Sequence, residues 1–191
     1  MNKKDIISFF DRCAPWWDDD MVRNEAVIAT ILDKGAVKAG VTVLDVACGT
    51  GVLFPDYMQR GAEVTGIDIS PEMVKVAQSK FPQLEIICGD VETHDFGKQF
   101  DVVMVYNAFP HFPQPAELIA HLASLLKEGG RLTVAHGMSR AALQEHHKRA
   151  QGVSLELPHE DDMAKLFAPY FDVDAVISNE EMYLVSGVKK A

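Results

Sequence analysis

The chain is arranged around Val43-Leu44-Asp45-Val46-Ala47-Cys48-Gly49-Thr50-Gly51-Val52. A branched apolar run ends at two closely spaced glycines and helix-forming spacing follows, so it reads as a strand, a tight turn and a helix start. Gly49 and Gly51 lack a Cβ, so the backbone can take unusual dihedrals there and a ligand can approach it closely, near the helix's free N–H groups. An ordinary strand-to-helix turn has much the same pattern, and the neighbouring residues have to separate the two.

The dinucleotide fingerprint Gly-x-Gly-x-x-Gly uses its third glycine for close helix packing and its helix start for the pyrophosphate. Phe54 stands at that third position here. Asp45 stands just before the loop, where its charge disfavours a nearby pyrophosphate and favours a cation. A cofactor with a cationic end fits better.

Downstream, Pro55 falls in the first turn of the next helix and Gly61 ends it. Glu63 to Ile69 alternates as a second strand, and Ser70-Pro71-Glu72-Met73 supplies an N-cap, a first-turn proline and an early acid for a helix through Phe81. Asp68 then lies at the carboxyl end of strand two, where an open α/β sheet can present an acid to a ribose diol; its alternative role is a capping acid. Leu84 to Ile87 reads as strand three and runs into Cys88-Gly89-Asp90-Val91-Glu92, a turn with two more acids.

Phe100 to Tyr106 is an apolar run of the kind a central strand shows when both faces are covered. It delivers Asn107-Ala108-Phe109-Pro110-His111-Phe112-Pro113 to the same edge as the glycine loop, and this run is the best substrate-side candidate. Leu118, Ile119, Leu122, Leu125 and Leu126 share one face of a helix from Pro115 to Leu126, which Lys127-Glu128-Gly129-Gly130 ends before strand five at Arg131 to Ala135. His136-Gly137-Met138-Ser139-Arg140 follows as a strand end and cap, then a helix carrying His146, His147, Lys148 and Arg149. His136 and the helix histidines either line a pocket or face solvent; their spacing has no matching carboxylate pattern, so no metal site is expected. Glu160 to Tyr170 suggests a short helix, and Val173 to Ser178 with Met182 to Val188 reads as an antiparallel hairpin around Asn179-Glu180-Glu181.

Upstream, Ile28, Ile31 and Leu32 share one face of a helix within residues 20 to 34, and Ile6, Ile7, Phe9 and Phe10 make Lys4 to Arg12 amphipathic. Trp16 and Trp17 follow Pro15 beside the acids Asp18, Asp19 and Asp20. The two tryptophans either close a substrate pocket or anchor the N-terminal segment to the core.

With 191 residues the chain matches one domain with a full core of its own. Its composition, 48% hydrophobic and 24% charged, is that of a globular protein, and no stretch approaches the roughly 18 apolar residues of a membrane span. No secretion signal is evident in residues 1 to 20, so a cytoplasmic location is expected. The three cysteines, Cys13, Cys48 and Cys88, are odd in number and widely spaced, which suggests reduced thiols. A formal charge of −10 argues against a nucleic-acid partner.

The acid, short spacer and Gly-x-Gly turn of Asp45 to Gly51 resemble the first motif of class I S-adenosylmethionine-dependent methyltransferases, and the resemblance runs from about Phe9 to Val188. It implies an α/β, Rossmann-like, doubly wound and mainly parallel seven-stranded sheet, with an antiparallel C-terminal hairpin strand and an N-terminal helical lid over residues 1–20 of a single domain, 1–191. It places Asp45 near the cofactor's methionine part, with Ala47, Cys48, Gly49, Thr50 and Gly51 along it. Asp68 meets the ribose, Ile69 and Met73 lie beside the adenine, Gly89, Asp90 and Val91 meet its amino group and ring, and Asn107 and Ala108 complete the cofactor side. Ala47 departs from the family, many of whose loops have glycine there.

The activity implied is in-line methyl transfer from S-adenosyl-L-methionine, leaving S-adenosyl-L-homocysteine, to a small-molecule acceptor, in a group that includes quinone-ring C-methyltransferases. Where the acceptor must lose a proton, His111 is the first candidate base and His136 the second. Trp16, Trp17, Phe109, His111 and Arg140 are the expected substrate contacts, in a monomer or homodimer. Competing readings are a nicotinamide-dependent oxidoreductase and a regulatory module that binds S-adenosylmethionine without transferring its methyl group.

Overall fold

The computed structural model describes residues 2–19, 21–147 and 152–191, except for the side chains of His146 and His147. The helix face expected to carry His146, His147, Lys148 and Arg149 therefore lies outside the described residues. Strands β1 (Thr42–Val46), β2 (Glu63–Asp68), β3 (Glu85–Cys88), β4 (Phe100–Tyr106), β5 (Leu126–His136), β6 (Phe171–Ser178) and β7 (Tyr183–Lys189) form one sheet in the order β3-β2-β1-β4-β5-β7-β6. The first five are parallel, and β7 runs antiparallel to both of its neighbours, β5 and β6.

The apolar runs of β1 and β4 are explained by helices on both faces. Leu44, Val46, Val103 and Val105 point into one cluster with α5 (Pro115–Leu125), α6 (Arg140–His147) and α7 (Glu160–Phe167), where Leu122, Leu143 and Phe167 meet them. Val43, Val102 and Met104 point the other way, onto α2 (Glu25–Lys34), α3 (Phe54–Gln59) and α4 (Pro71–Lys80). Consecutive residues of a strand face opposite sides, so one continuous apolar run serves both cores.

Local signals set the boundaries. Asn24 caps α2 and Ser70 caps α4, each side-chain oxygen accepting a backbone N–H three residues on. The helix read within residues 20 to 34 thus starts only at Glu25. Arg131 was expected to open strand five, but β5 begins at Leu126, which pairs with Phe100; the pairing then skips to Arg131 opposite Val102. Gly129, at φ +69, takes the positive dihedral that this bulge requires.

The N-terminal segment, α1 (Lys3–Cys13) followed by a single 3-10 turn at Ala14–Trp16, lies across the carboxyl edge of the sheet. Three polar ties hold it. The Lys3 ammonium bridges Asp90 and Glu92, each at 2.5 Å. Asp11 accepts from the Ser70 hydroxyl at 2.6 Å, and Asp18 accepts from Thr50 at 2.6 Å and pairs with Lys80 at 2.8 Å.

Candidate active site

The strand order reverses between β1 and β4, and in open α/β sheets the crevice outside the carboxyl ends at such a point receives ligands. Here the loops after β1, β2, β3 and β4 and the N-terminal segment enclose a cavity of about 660 Å³, within the range of small-molecule sites. Its walls include the predicted residues Asp45, Ala47, Cys48, Gly49, Asp68, Ile69, Met73, Gly89, Asp90, Val91, Asn107, Ala108 and His111, together with Trp16 and Trp17.

The β1 loop turns on Ala47, whose φ is +54. A left-handed alanine is strained, and the hydrogen bond from Cys48 N to Ile67 O at 3.1 Å helps to hold the turn beside β2. Gly49 opens onto the cavity: a Cβ there would meet only the Trp17 indole nitrogen, at 4.0 Å. Phe54 takes the place of the dinucleotide motif's third glycine, with its ring between the loop and β2. A Cβ on Gly66 would come within 2.6 Å of that ring, so β2 needs a glycine opposite it.

Asp45 and Asp68 are both buried. The Asp68 carboxylate accepts from Gly49 N and Ser70 N, each at 2.8 Å, which ties the loops after β1 and β2 together. Burial, reinforced by the charge of Asp68, pushes Asp45 up to about 8, and the neighbouring Tyr57 hydroxyl opposes this. Burial also pushes Asp68 up to about 6, against the two backbone donors that favour its charged form. Two acids that resist ionisation side by side make a site that a cation relieves. That donor set, the open backbone at Gly49 and the size of the cavity fit a ligand with a cationic sulfonium and ammonium end.

The β4 loop turns on Asn107, at φ +54, whose side-chain oxygen accepts from Gly137 N at 2.9 Å. Tyr106 also lines the cavity, and a Cβ on Gly137 would clash with its hydroxyl. His111 ends the 3-10 turn Phe109–His111. Its Nδ1 lies 2.7 Å from the Val153 carbonyl, and its ring meets Phe10 edge to face at 4.9 Å. A carbonyl only accepts, so Nδ1 donates, and in the neutral ring Nε2 carries the lone pair.

Five expected contacts lie elsewhere. Thr50 is buried with its hydroxyl donating to Asp18, and Gly51 packs against Phe54 and Phe81, so neither forms a cavity wall. Phe109 is a core residue beneath the β4 loop. His136 is fully buried at the end of β5 against Tyr183, its ring centroid 6.1 Å away, and does not reach the cavity as a second base. Arg140 donates from Nε to the Leu157 carbonyl at 3.0 Å and pairs with Glu156 at 3.2 Å, so its guanidinium serves the chain itself.

Phe112 and Pro113, within the run expected on the substrate side, also line the cavity, and Phe10, Met21, Val22, Arg23 and Met138 are walls beyond those expected from the sequence. Arg23 donates to the Val52 carbonyl and pairs with Glu25 and Asp56, each at 2.9 Å; Glu25 chiefly, then Asp56, hold its pKa above the ordinary value against the effect of burial. An arginine next to the Asn24 cap was the available signal, and its target became visible only when the fold brought Val52 alongside.

Residues 43–130 match a family model described as a methyltransferase domain. The chain is 32% identical over 187 residues to a ubiquinone biosynthesis O-methyltransferase of Xanthomonas oryzae pv. oryzae, covering 91% of this chain and 78% of the relative. It is 29% identical over 143 residues to the enzyme of the same name from Coxiella burnetii, covering 69% of this chain and 61% of that relative. Magnesium protoporphyrin IX methyltransferase of Synechocystis with bound S-adenosylhomocysteine superposes with a TM-score of 0.74 at 21% identity, covering 99% of this chain and 100% of that one. A Haloferax volcanii complex of a methyltransferase activator with a methyltransferase gives 0.80 at 20% identity, covering 95% and 98%. These two share the fold. The chain belongs to the class I S-adenosylmethionine-dependent methyltransferases, in the group that contains the ubiquinone biosynthesis O-methyltransferases. The methyl donor of that family is S-adenosylmethionine.

Proposed function

We propose that the chain methylates a hydroxyl oxygen on a small aromatic acceptor, with His111 as the base. The observation that carries this reading is the Nδ1 contact of His111 with the Val153 carbonyl, which leaves the lone pair on Nε2 of a residue in the cavity wall. Supporting it are the aromatic walls Phe10, Trp17 and Phe112, which suit a planar ring. The sequence relatives, named as ubiquinone biosynthesis O-methyltransferases, support oxygen as the attacking atom. The chain spans 61% of the length of the Coxiella relative, so its acceptor is argued from its own cavity.

Asp45 would hold the ammonium end of the cofactor, Asp68 the ribose hydroxyls and Asp90 the adenine amino group, with Met73 and Val91 packing beside the ring. When bound, S-adenosylmethionine supplies a methyl group already activated by its positively charged sulfur. His111 accepts the acceptor's hydroxyl proton at Nε2 while the oxygen–carbon bond forms, and later releases it to solvent. The loops and the N-terminal segment keep water out and hold the acceptor in line, which can be worth effective molarities on the order of 10⁵ M or more.

Calorimetry comparing S-adenosylhomocysteine with reduced nicotinamide dinucleotide, and a turnover screen over catechols, quinols and thiols, test the reading. S-adenosylhomocysteine is expected to bind and the nicotinamide not, with turnover on catechols. Asp68→Ala should weaken S-adenosylhomocysteine by about 1.5–3 kcal/mol. His111→Ala should leave that affinity unchanged and slow turnover by roughly 100-fold. Turnover confined to thiols, or a His111→Ala enzyme as fast as the parent, would rule the mechanism out.

A further inference from the structure

The segment from Val153 to Leu157 is fastened at both ends. Toward the site, Leu155 N donates to the Pro110 carbonyl at 2.7 Å and the Val153 carbonyl accepts from His111 Nδ1, so two successive residues of the β4 loop are engaged. Away from it, Arg140 holds the Leu157 carbonyl through Nε and the Glu156 carboxylate through Nη2, and Gln144 donates to the same carboxylate. The buried side chains of Val153 and Leu157 seat the segment between these ends. Arg140 and Gln144 share one face of α6, four residues apart, so a single helix face grips the segment.

We infer that Arg140 is a positioning residue for the reaction, setting the tautomer of His111 by holding in place the segment that carries the Val153 carbonyl. The chemistry is specific. A neutral imidazole in water favours the proton on Nε2, and a base with its proton there has no lone pair to offer from that atom. The Val153 carbonyl reverses the preference by binding the proton on Nδ1. Its location depends on a guanidinium whose planar fork can satisfy a backbone carbonyl and a carboxylate at once, which an ammonium cannot match in direction. The inference rests on the proposed role of His111 as base, and its first readout does not.

The experiment is nitrogen-15 NMR of histidine-labelled protein, with and without S-adenosylhomocysteine, for the parent, Arg140→Met and Arg140→Lys. The parent should show His111 with its proton on Nδ1. Arg140→Met should move the population toward Nε2–H and lower kcat on a catechol by on the order of tenfold, with S-adenosylhomocysteine affinity and the KM for S-adenosylmethionine unchanged. Arg140→Lys should restore part of both. An Arg140→Met protein whose His111 tautomer matches the parent's overturns the inference. If Arg140→Met does not fold, Glu156→Gln, a change at an exposed carboxylate, should move the tautomer the same way by less, and no movement there overturns it equally. Wild-type turnover by His111→Ala would instead remove the base role, so the two failures are told apart.

Discussion

Ala47 holds a positive φ that costs an alanine roughly 1 kcal/mol more than a glycine, at the turn on which the glycine loop depends. Ala47→Gly should therefore raise stability by a few tenths to about 1 kcal/mol, part of the gain being lost to the freer unfolded chain, as measured by urea denaturation. The buried acids give a second residue-scale expectation. Both have folded pKa values above those of the unfolded chain, so their protonated forms favour the fold, and that contribution is lost as pH rises toward and through about 6 for Asp68 and about 8 for Asp45. Thermal stability of the protein alone should thus decline from pH 5 to pH 8.5. S-adenosylmethionine, whose cationic end favours the charged acids, should protect more at pH 8.5 than at pH 5.5. Equal protection at both would sever Asp45 from the cofactor. Asp45 and Asp68 were legible from sequence as cavity walls because one stands next to last and the other last in a strand that runs into a turn. Arg140 was misread because an arginine just past a strand looks alike whether it meets a ligand or clamps its own chain.

Among the elements, the N-terminal segment is distinguished by where its ties go. Lys3 reaches the loop after β3, Asp11 the start of α4 and Asp18 the loop after β1, so the cavity loops after β1, β2 and β3 are each also bound to the strap above them. Partly exposed pairs of this kind are worth at most about 1 kcal/mol each. The strap should then open often enough for exchange, and weakening a tie should speed it: Asp18→Asn is expected to raise the dissociation rate of S-adenosylhomocysteine by roughly two- to fivefold in stopped flow. An unchanged rate would mean that exchange does not pass this way. The segment's amphipathic helix and its tryptophans were legible in the sequence but its ties were not, because their partners lie far along the chain and nothing local marks them. The same separation hid Phe10, Arg23 and Met138 as walls. Turn glycines suggested a helix stop before strand five, whereas pairing with β4 drew Leu126 into the strand.

Across the whole molecule, strand and helix periods sufficed to reveal a sheet covered on both faces, since β1 and β4 are mostly apolar, with Asp45 and Asp101 their single acids. The order of the last two strands follows from long-range pairing, which periodicity alone does not specify. β1, β4 and the Arg131–Ala135 part of β5 are hydrogen-bonded on both sides, whereas β3 and β6 are edges. Hydrogen exchange followed by mass spectrometry should therefore find β1 and β4 the slowest and β3 and β6 markedly faster; uniform rates would argue against this distribution of stability. β7 lies between β5 and β6 although it comes after both in the chain. During synthesis, β6 leaves the ribosome with no neighbour to join, and the open side of β5 waits with it until Lys189 has emerged. The emerging polypeptide thus passes through an interval with two unmated strand borders, which is when a holding chaperone would matter most to its yield.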